Sequence, residues 1–354
     1  MKSFIYSVSI FITPILLILL LVNYFGDSAH LFKVGYELKM AEIIEDGKNV
    51  TNVDNYDERI FQKEIINHMN HTPNTIVLGT STSMLINREF LKESEFFFNN
   101  SVSGSSLEDI VAIYQIYKEN NKMPKKIIIG IAPYMFNKNH GQKRWKSIEE
   151  FYYHFKNENY EKSNTNKYKE LFSFSYFQSS LTKLPDLISG NNEPKATDKK
   201  FNKTNTKLTD GTLIYGESYR DASRSEIERK INSQLTGDLY SIENFYNIDK
   251  NIWAEFEDLI FDMKNNNIEI EFFLSPYPPE VYNRIKDDYP MVLMTEKLIV
   301  KLAREQDIKL FGSFNPNKLG LDKTFFYDGM HCKEIGIKKI LHTYDEKQGH
   351  TTKN

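Results

Sequence analysis

From Phe4 to Phe25 the chain reads F-I-Y-S-V-S-I-F-I-T-P-I-L-L-I-L-L-L-V-N-Y-F, with no charged residue. A helix of about 20 apolar residues spans a bilayer core, so this run predicts a single membrane anchor over residues 1–26. Pro14 is tolerated there, because membrane helices accommodate proline. Lys2 and the α-amino group precede the run, and Tyr24 and Phe25 fall where interfacial aromatics collect. The expected orientation is N-terminus cytoplasmic, with the bulk of the chain outside the membrane. The charge bias behind it is thin, since Lys33 and Lys39 follow on the far side. A cleaved signal peptide is the alternative. Against it, the run is longer than a usual signal core and only G-D-S-A at 26–29 follows in place of an A-x-A site.

The 354 residues suffice for one large domain or two modest ones. The net charge of −3 lacks the basic excess that nucleic-acid binding needs, so no nucleic-acid partner is expected. The 25 Phe and 21 Tyr supply a large core, with a carbohydrate-facing groove as the second use for them. Cys332 stands alone, which excludes an intrachain disulfide and a cysteine-based metal site but leaves the compartment open.

Residues 27–73 read as a juxtamembrane segment with helical stretches, rich in charge and Asn. From Thr75 onward short apolar strands alternate with helical patterns. The predicted strands are Thr75–Gly79, Phe96–Asn99, Lys126–Ala132, Glu269–Ser275 and Ile308–Phe311. The predicted helices are Ser106–Asn120, Ile242–Asn265, Pro290–Gln306 and Lys333–Thr343. This alternation predicts an α/β domain over 74–344 with a parallel sheet buried on both faces. Residues 137–240 break the rhythm and read as an insertion, partly helical, with a flexible polar stretch near 190–208. Residues 345–354 form a polar tail.

Ligands of an open parallel sheet bind beyond the carboxyl ends of its strands, so the residues just after each strand matter most. After the first comes Gly79-Thr80-Ser81-Thr82-Ser83. Gly79 permits a sharp turn, and the hydroxyls then fall near a helix N-terminus, where a serine nucleophile is favoured. Ser and Thr are equally preferred as plain helix caps. After the second strand, Asn99–Ser106 carries Gly104, whose bare backbone N–H suits an oxyanion; an ordinary turn is the bland alternative. Near the C-terminus, F-F-Y-D-G-M-H places Asp328 three residues before His331. A carboxylate there can hold imidazole Nδ1–H and leave Nε2 to take a proton from serine. Alternatively Asp328 caps the following helix and His331 is a satisfied core residue. After the fourth strand, S-P-Y-P-P-E forms a rigid rim in which Tyr277 either touches substrate or only packs.

Together these blocks resemble the SGNH, or GDSL-like, hydrolase superfamily. G-T-S-T-S stands in place of the G-D-S block, and D-G-M-H is the D-x-x-H block. The resemblance covers about residues 74–344, interrupted by 137–240. It implies a three-layer α/β/α domain with a flavodoxin-like parallel sheet, no cofactor and no metal. Residue by residue it makes Ser81 the nucleophile, Asp328 and His331 its partners, and Ser81 with Gly104 the oxyanion hole. Two departures stand out. Thr80 replaces the usual aspartate, and Gly130-Ile131-Ala132-Pro133-Tyr134 replaces G-x-N-D, so one oxyanion donor is missing. Asn100, Asn137 and Tyr134 are the candidates to replace it, and Asn100, Tyr134 and Tyr277 are also candidate substrate-binding residues. Ser83 is the rival nucleophile. An α/β-hydrolase fits less well, because G-x-S-x-G would need glycine where Ser83 stands. Gly26-Asp27-Ser28 spells the family triplet, but it abuts the apolar run and no strand precedes it. Glu64, His68 and His71 share a helical face, without the spacing or the further ligand of a metal site.

The layout is similar to membrane-anchored members that act on surface polymers, the teichoic acid D-alanyl transfer proteins and alginate-type O-acetyltransferases. The resemblance therefore implies an extracytoplasmic esterase or O-acyltransferase of the cell envelope. Its partners would be an acylated carbohydrate or surface polymer, the membrane, and a membrane protein that donates acyl groups. The alternatives are a non-catalytic envelope polysaccharide assembly or binding protein on the same fold, and a secreted lipase.

Overall fold

The computed structural model describes residues 2–27, 35–53, 56–91, 96–160, 166–188 and 193–349. Ser28 of the G-D-S triplet, residues 189–192 and the tail beyond 349 lie outside them.

The strands in chain order are β1 (Asn49–Thr51), β2 (Thr75–Leu78), β3 (Phe97–Asn99), β4 (Lys126–Gly130), β5 (Lys195–Thr197), β6 (Thr206–Lys207), β7 (Leu213–Ile214), β8 (Glu269–Leu274) and β9 (Lys309–Gly312). Five of them form one parallel sheet in the order β3-β2-β4-β8-β9. These are the five strands expected from the apolar runs. Their side chains alternate between two cores, as strand geometry requires. Ile76, Leu78, Ile127, Ile129, Phe272 and Leu274 enter one core, with Ile110 and Ile113 of helix Leu107–Glu119, Phe256 and Leu259 of helix Lys250–Asn265, and Ile299 of helix Pro290–Glu305. Val77, Ile128, Phe273 and Phe311 enter the other, with Ile337, Ile340 and Leu341 of helix Glu334–Gly349. The molecule is thus a mixed α/β protein with a five-stranded parallel sheet.

Caps set several helix boundaries. Ser106 and Asp109 form a capping box at the start of Leu107–Glu119. The helix expected from Ile242 begins instead at Lys250, because the Asp249 carboxylate accepts from Asn251 N and Ile252 N and fixes the first turn there. The predicted polar tail is helical through Gly349, in continuation of Glu334–Gly349.

The segment before the sheet is part of the same core. Helices Tyr36–Glu45 and Glu58–His68 contribute Met40, Ile44, Phe61 and Ile65 to it. Between them, β1 pairs with two strands of the insertion in a second, antiparallel sheet of order β5-β1-β6-β7. Part of the stretch near 190–208 expected to be flexible is therefore strand. Its partner lies about 150 residues upstream, and local composition carries no sign of such a pairing.

The N-terminal run is one helix, Lys2–Gly26, and its Ser9–Gly26 portion has a mean hydropathy of 2.1. It is long and apolar enough to cross a membrane, and Ile10, Phe11, Ile15, Leu17 and Ile18 stand exposed along it. Helix Phe174–Ile188 of the insertion packs against its C-terminal end, with Ser180 against Gly26. Asn23 Nδ2 donates to the carbonyls of Leu171 (2.8 Å) and Ser173 (3.1 Å), and the Tyr176 hydroxyl donates to Asp27 (2.7 Å).

Candidate active site

Three chain segments meet beyond the carboxyl ends of β2, β3 and β9. Gly79 ends β2 with Gly130 of the neighbouring β4 against it, and Ser83 wedges between the two glycines. A Cβ at Gly130 would come within 2.6 Å of the Ser83 hydroxyl, so both glycines serve close approach. Ser83 is fully buried; its Oγ donates to Thr80 O (2.8 Å) and pairs with Ser101 Oγ (3.0 Å). That inward orientation leaves Ser81 facing out. The helix expected to start here is a single turn, Ser81–Ser83. The next element is another short turn, Arg88–Phe90, so Ser81 does not open a long helix.

Ser81 Oγ lies 2.9 Å from His331 Nε2, and His331 Nδ1 lies 2.9 Å from Asp328 Oδ2. A carboxylate only accepts, so Nδ1 carries the proton and Nε2 is free to accept from Ser81. The other carboxylate oxygen, Oδ1, accepts from Met330 N and His331 N, each at 2.7 Å. Asp328 thus both shapes the turn before helix Glu334–Gly349 and orients the imidazole. Burial pushes the Asp328 carboxyl upward. The hydrogen bond from His331 and its electrostatic pull, with a hydrogen bond from the Tyr219 hydroxyl, more than offset that and hold it well below the usual carboxylate range. It is therefore ionised at neutral pH.

Tyr219 was not among the candidates read from the sequence, and its hydroxyl donates to Asp328 Oδ2. Its ring packs on Tyr215 at 4.5 Å and on Tyr327 at 5.4 Å, and Tyr215 meets the His331 ring edge-on at 6.1 Å. Both Tyr215 and Tyr219 come from the insertion. Tyrosines are common throughout that segment, and no spacing singled these out.

Gly104 lies at φ +55 in the loop after β3, a conformation that favours glycine. Among the described residues neither its N–H nor that of Ser81 has an acceptor. The Gly104 loop is clamped from the segment before the sheet. Glu58 accepts from Ser103 N and from Ser103 Oγ (2.8 Å), and Arg59 Nη2 donates to Ser103 O (2.9 Å). Arg59 also grips Asp109 through Nε at 2.8 Å and Nη2 at 3.1 Å, in a fully buried pair.

These residues open on a cavity of about 700 Å³. Ser81, His331, Gly104, Tyr134 and Tyr277 line it, and Tyr134 also hydrogen-bonds Thr80 at 3.0 Å. Asn100 does not reach it. Its side chain is buried between Gln62 (2.8 Å) and the Tyr117 hydroxyl (2.9 Å), and this corrects its assignment as a substrate-binding or oxyanion residue. Asn137 is likewise turned away, donating to Ser241 O at 2.9 Å. Further lining comes from residues the sequence left unmarked, notably Arg144, Lys203, Tyr215 and Tyr240 of the insertion and Tyr56 and Glu58 before the sheet. Among the described residues no three His, Cys, Asp or Glu side chains gather as metal ligands do. His68 Nδ1 sits 2.8 Å from its own helix at Glu64 O, and His71 packs beside Phe96. No family model, curated protein or solved structure matches this chain.

Proposed function

We propose that the protein is a serine acyl-transfer enzyme, an esterase or O-acyltransferase acting on ester-linked acyl groups of a cell-envelope polysaccharide. The observation that carries this reading is the unbroken hydrogen-bond chain Asp328–His331–Ser81, opening on a roomy cavity at the ligand edge of the parallel sheet. Ser81 Oγ attacks the ester carbonyl carbon, and its proton passes to His331 Nε2. The carbonyl π pair moves to oxygen, which the Ser81 and Gly104 N–H groups receive. Collapse expels the alcohol, protonated by His331, and leaves an acyl-serine. Water or a sugar hydroxyl, deprotonated by His331, then takes the acyl group and restores Ser81.

The strand order β3-β2-β4-β8-β9, with apolar cores on both sheet faces, agrees with a three-layer, flavodoxin-like SGNH fold. The N-terminal helix supports a single-pass anchor, N-terminus cytoplasmic, with the catalytic domain outside the membrane. The cavity's size and its mix of tyrosines with hydroxyl side chains and the Asn205 amide suit a sugar unit. Full-length protein in detergent should hydrolyse p-nitrophenyl acetate, and His331→Ala should lose at least about 10³-fold in kcat. If folded wild type shows no turnover above His331→Ala, the protein does not perform this chemistry, and a binding or assembly role takes its place. Adding polysaccharide hydroxyl acceptors separates the two enzymatic variants, since a transferase speeds release of p-nitrophenol and a strict esterase does not.

A further inference from the structure

The G-x-N-D asparagine is absent from this chain, and the two asparagines that stood as candidates point away from the cavity. The insertion supplies a different group. A Cβ built on Gly104 would run into the Tyr240 hydroxyl first and the Arg144 guanidinium next, so both sit directly over the Gly104 backbone. Both line the cavity with Ser81 and His331. Arg144 Nη2 donates to the Tyr240 hydroxyl oxygen at 3.0 Å, while Arg144 Nε is steadied by Gln142 Oε1 at 3.1 Å. The phenol oxygen is thereby occupied as an acceptor, and its own proton has no acceptor among the described residues. The ring is held by an edge-on contact with Tyr134 at 5.3 Å. Arg144 forms no ion pair among the described residues, so its charge is not neutralised by a carboxylate there.

From this geometry we infer that Tyr240, polarised by Arg144, is a further oxyanion donor of the site. The inference rests on the acyl-transfer reading above. As Ser81 Oγ bonds to the carbonyl carbon and its proton moves to His331, the carbonyl oxygen gains the π pair. That oxygen accepts hydrogen bonds from Ser81 N–H, Gly104 N–H and the Tyr240 O–H. Tyr240 keeps its proton throughout. A phenol whose oxygen accepts from a guanidinium is a stronger donor, because hydrogen bonds in series polarise one another. Tyr240 is a catalytic residue in this scheme, and Arg144 is a positioning residue that acts through it.

The test uses full-length protein with p-nitrophenyl acetate. Tyr240→Phe keeps the ring on Tyr134 and removes only the hydroxyl. It should lower kcat by roughly 10²-fold with KM within about twofold, the signature of a lost transition-state contact. Arg144→Gln should lower kcat by roughly tenfold in wild type and have no further effect in Tyr240→Phe, since both changes act on one hydroxyl. Arg144→Lys should recover part of the loss. Arg144 is exposed, so its variants report even if Tyr240→Phe were poorly folded. A folded Tyr240→Phe with kcat within twofold of wild type overturns the inference. So does a loss confined to KM, and additive losses in the double variant overturn the polarising role of Arg144. In each of those outcomes wild type still turns over ester and the acyl-transfer reading stands. If wild type does not turn over ester, both fall together.

Discussion

Ser81 and Ser83 stand two residues apart in one hydroxyl-rich turn, and their surroundings give them different work. Ser81 Oγ meets His331, whereas Ser83 is a buried wedge bonded to Thr80 and Ser101. Ser83→Ala should cost about 1–2 kcal/mol of stability, for a buried bond lost on each side, and leave kcat within a few-fold of wild type. Urea unfolding and ester turnover on the same samples check this, and a loss of activity as deep as that of His331→Ala would move the nucleophile to Ser83. Lys207 makes a second test at this scale. It is fully buried, with its ammonium 5.7 Å from the Phe61 ring. Burial lowers its pKa to about 8, against the opposing pull of Glu58 and Asp210. The unfolded chain keeps a lysine pKa of about 10.4 and so binds more protons between those values. Stability therefore rises with pH from about 8 to about 10.4, and the penalty is complete below about 8. Lys207→Met should be more stable than wild type at pH 7, by an amount on the order of a few kcal/mol that shrinks as the pH is raised to 10. Unfolding curves at the two pH values measure it, and a difference independent of pH would contradict the burial argument.

At the scale of elements, the strands of the parallel sheet were legible because each is a short apolar run buried on both faces. The turns after β2 and before helix Glu334–Gly349 were legible for a related reason, since their chemistry is compressed into a few neighbouring residues. The elements that complete the site were not. Tyr219, Tyr240 and Arg144 reach it from an insertion whose local composition reads as polar surface, and the Gly104 loop is held from helix Glu58–His68. Such long-range contacts leave no periodic trace in the chain. The Arg59–Asp109 pair is the core of that clamp. Asp109→Ala would take the closest carboxylate from a buried guanidinium, leaving it Glu58 at 3.5 Å, and also remove the capping box of helix Leu107–Glu119. It should cost about 3–5 kcal/mol in urea unfolding and lower kcat by loosening the Gly104 loop. A loss below about 1 kcal/mol with unchanged kcat would show that the loop holds its shape without the clamp.

Over the whole molecule, the segments read separately along the chain are built into one another. The stretch after the N-terminal apolar helix supplies core helices and β1, the insertion supplies β5, β6 and β7, and their shared sheet lies beside the cavity. Helix Phe174–Ile188 of the same insertion rests on the apolar N-terminal helix. In the proposed mechanism Ser81 is a nucleophile activated by His331 and Asp328. Full-length protein treated with a fluorophosphonate probe and mapped by peptide mass spectrometry tests it most directly. A single adduct is expected on Ser81, absent in Ser81→Ala, retained in Ser83→Ala and strongly slowed in His331→Ala. A folded wild type that takes no label, or takes it on a residue other than Ser81, would rule out Ser81 as the nucleophile.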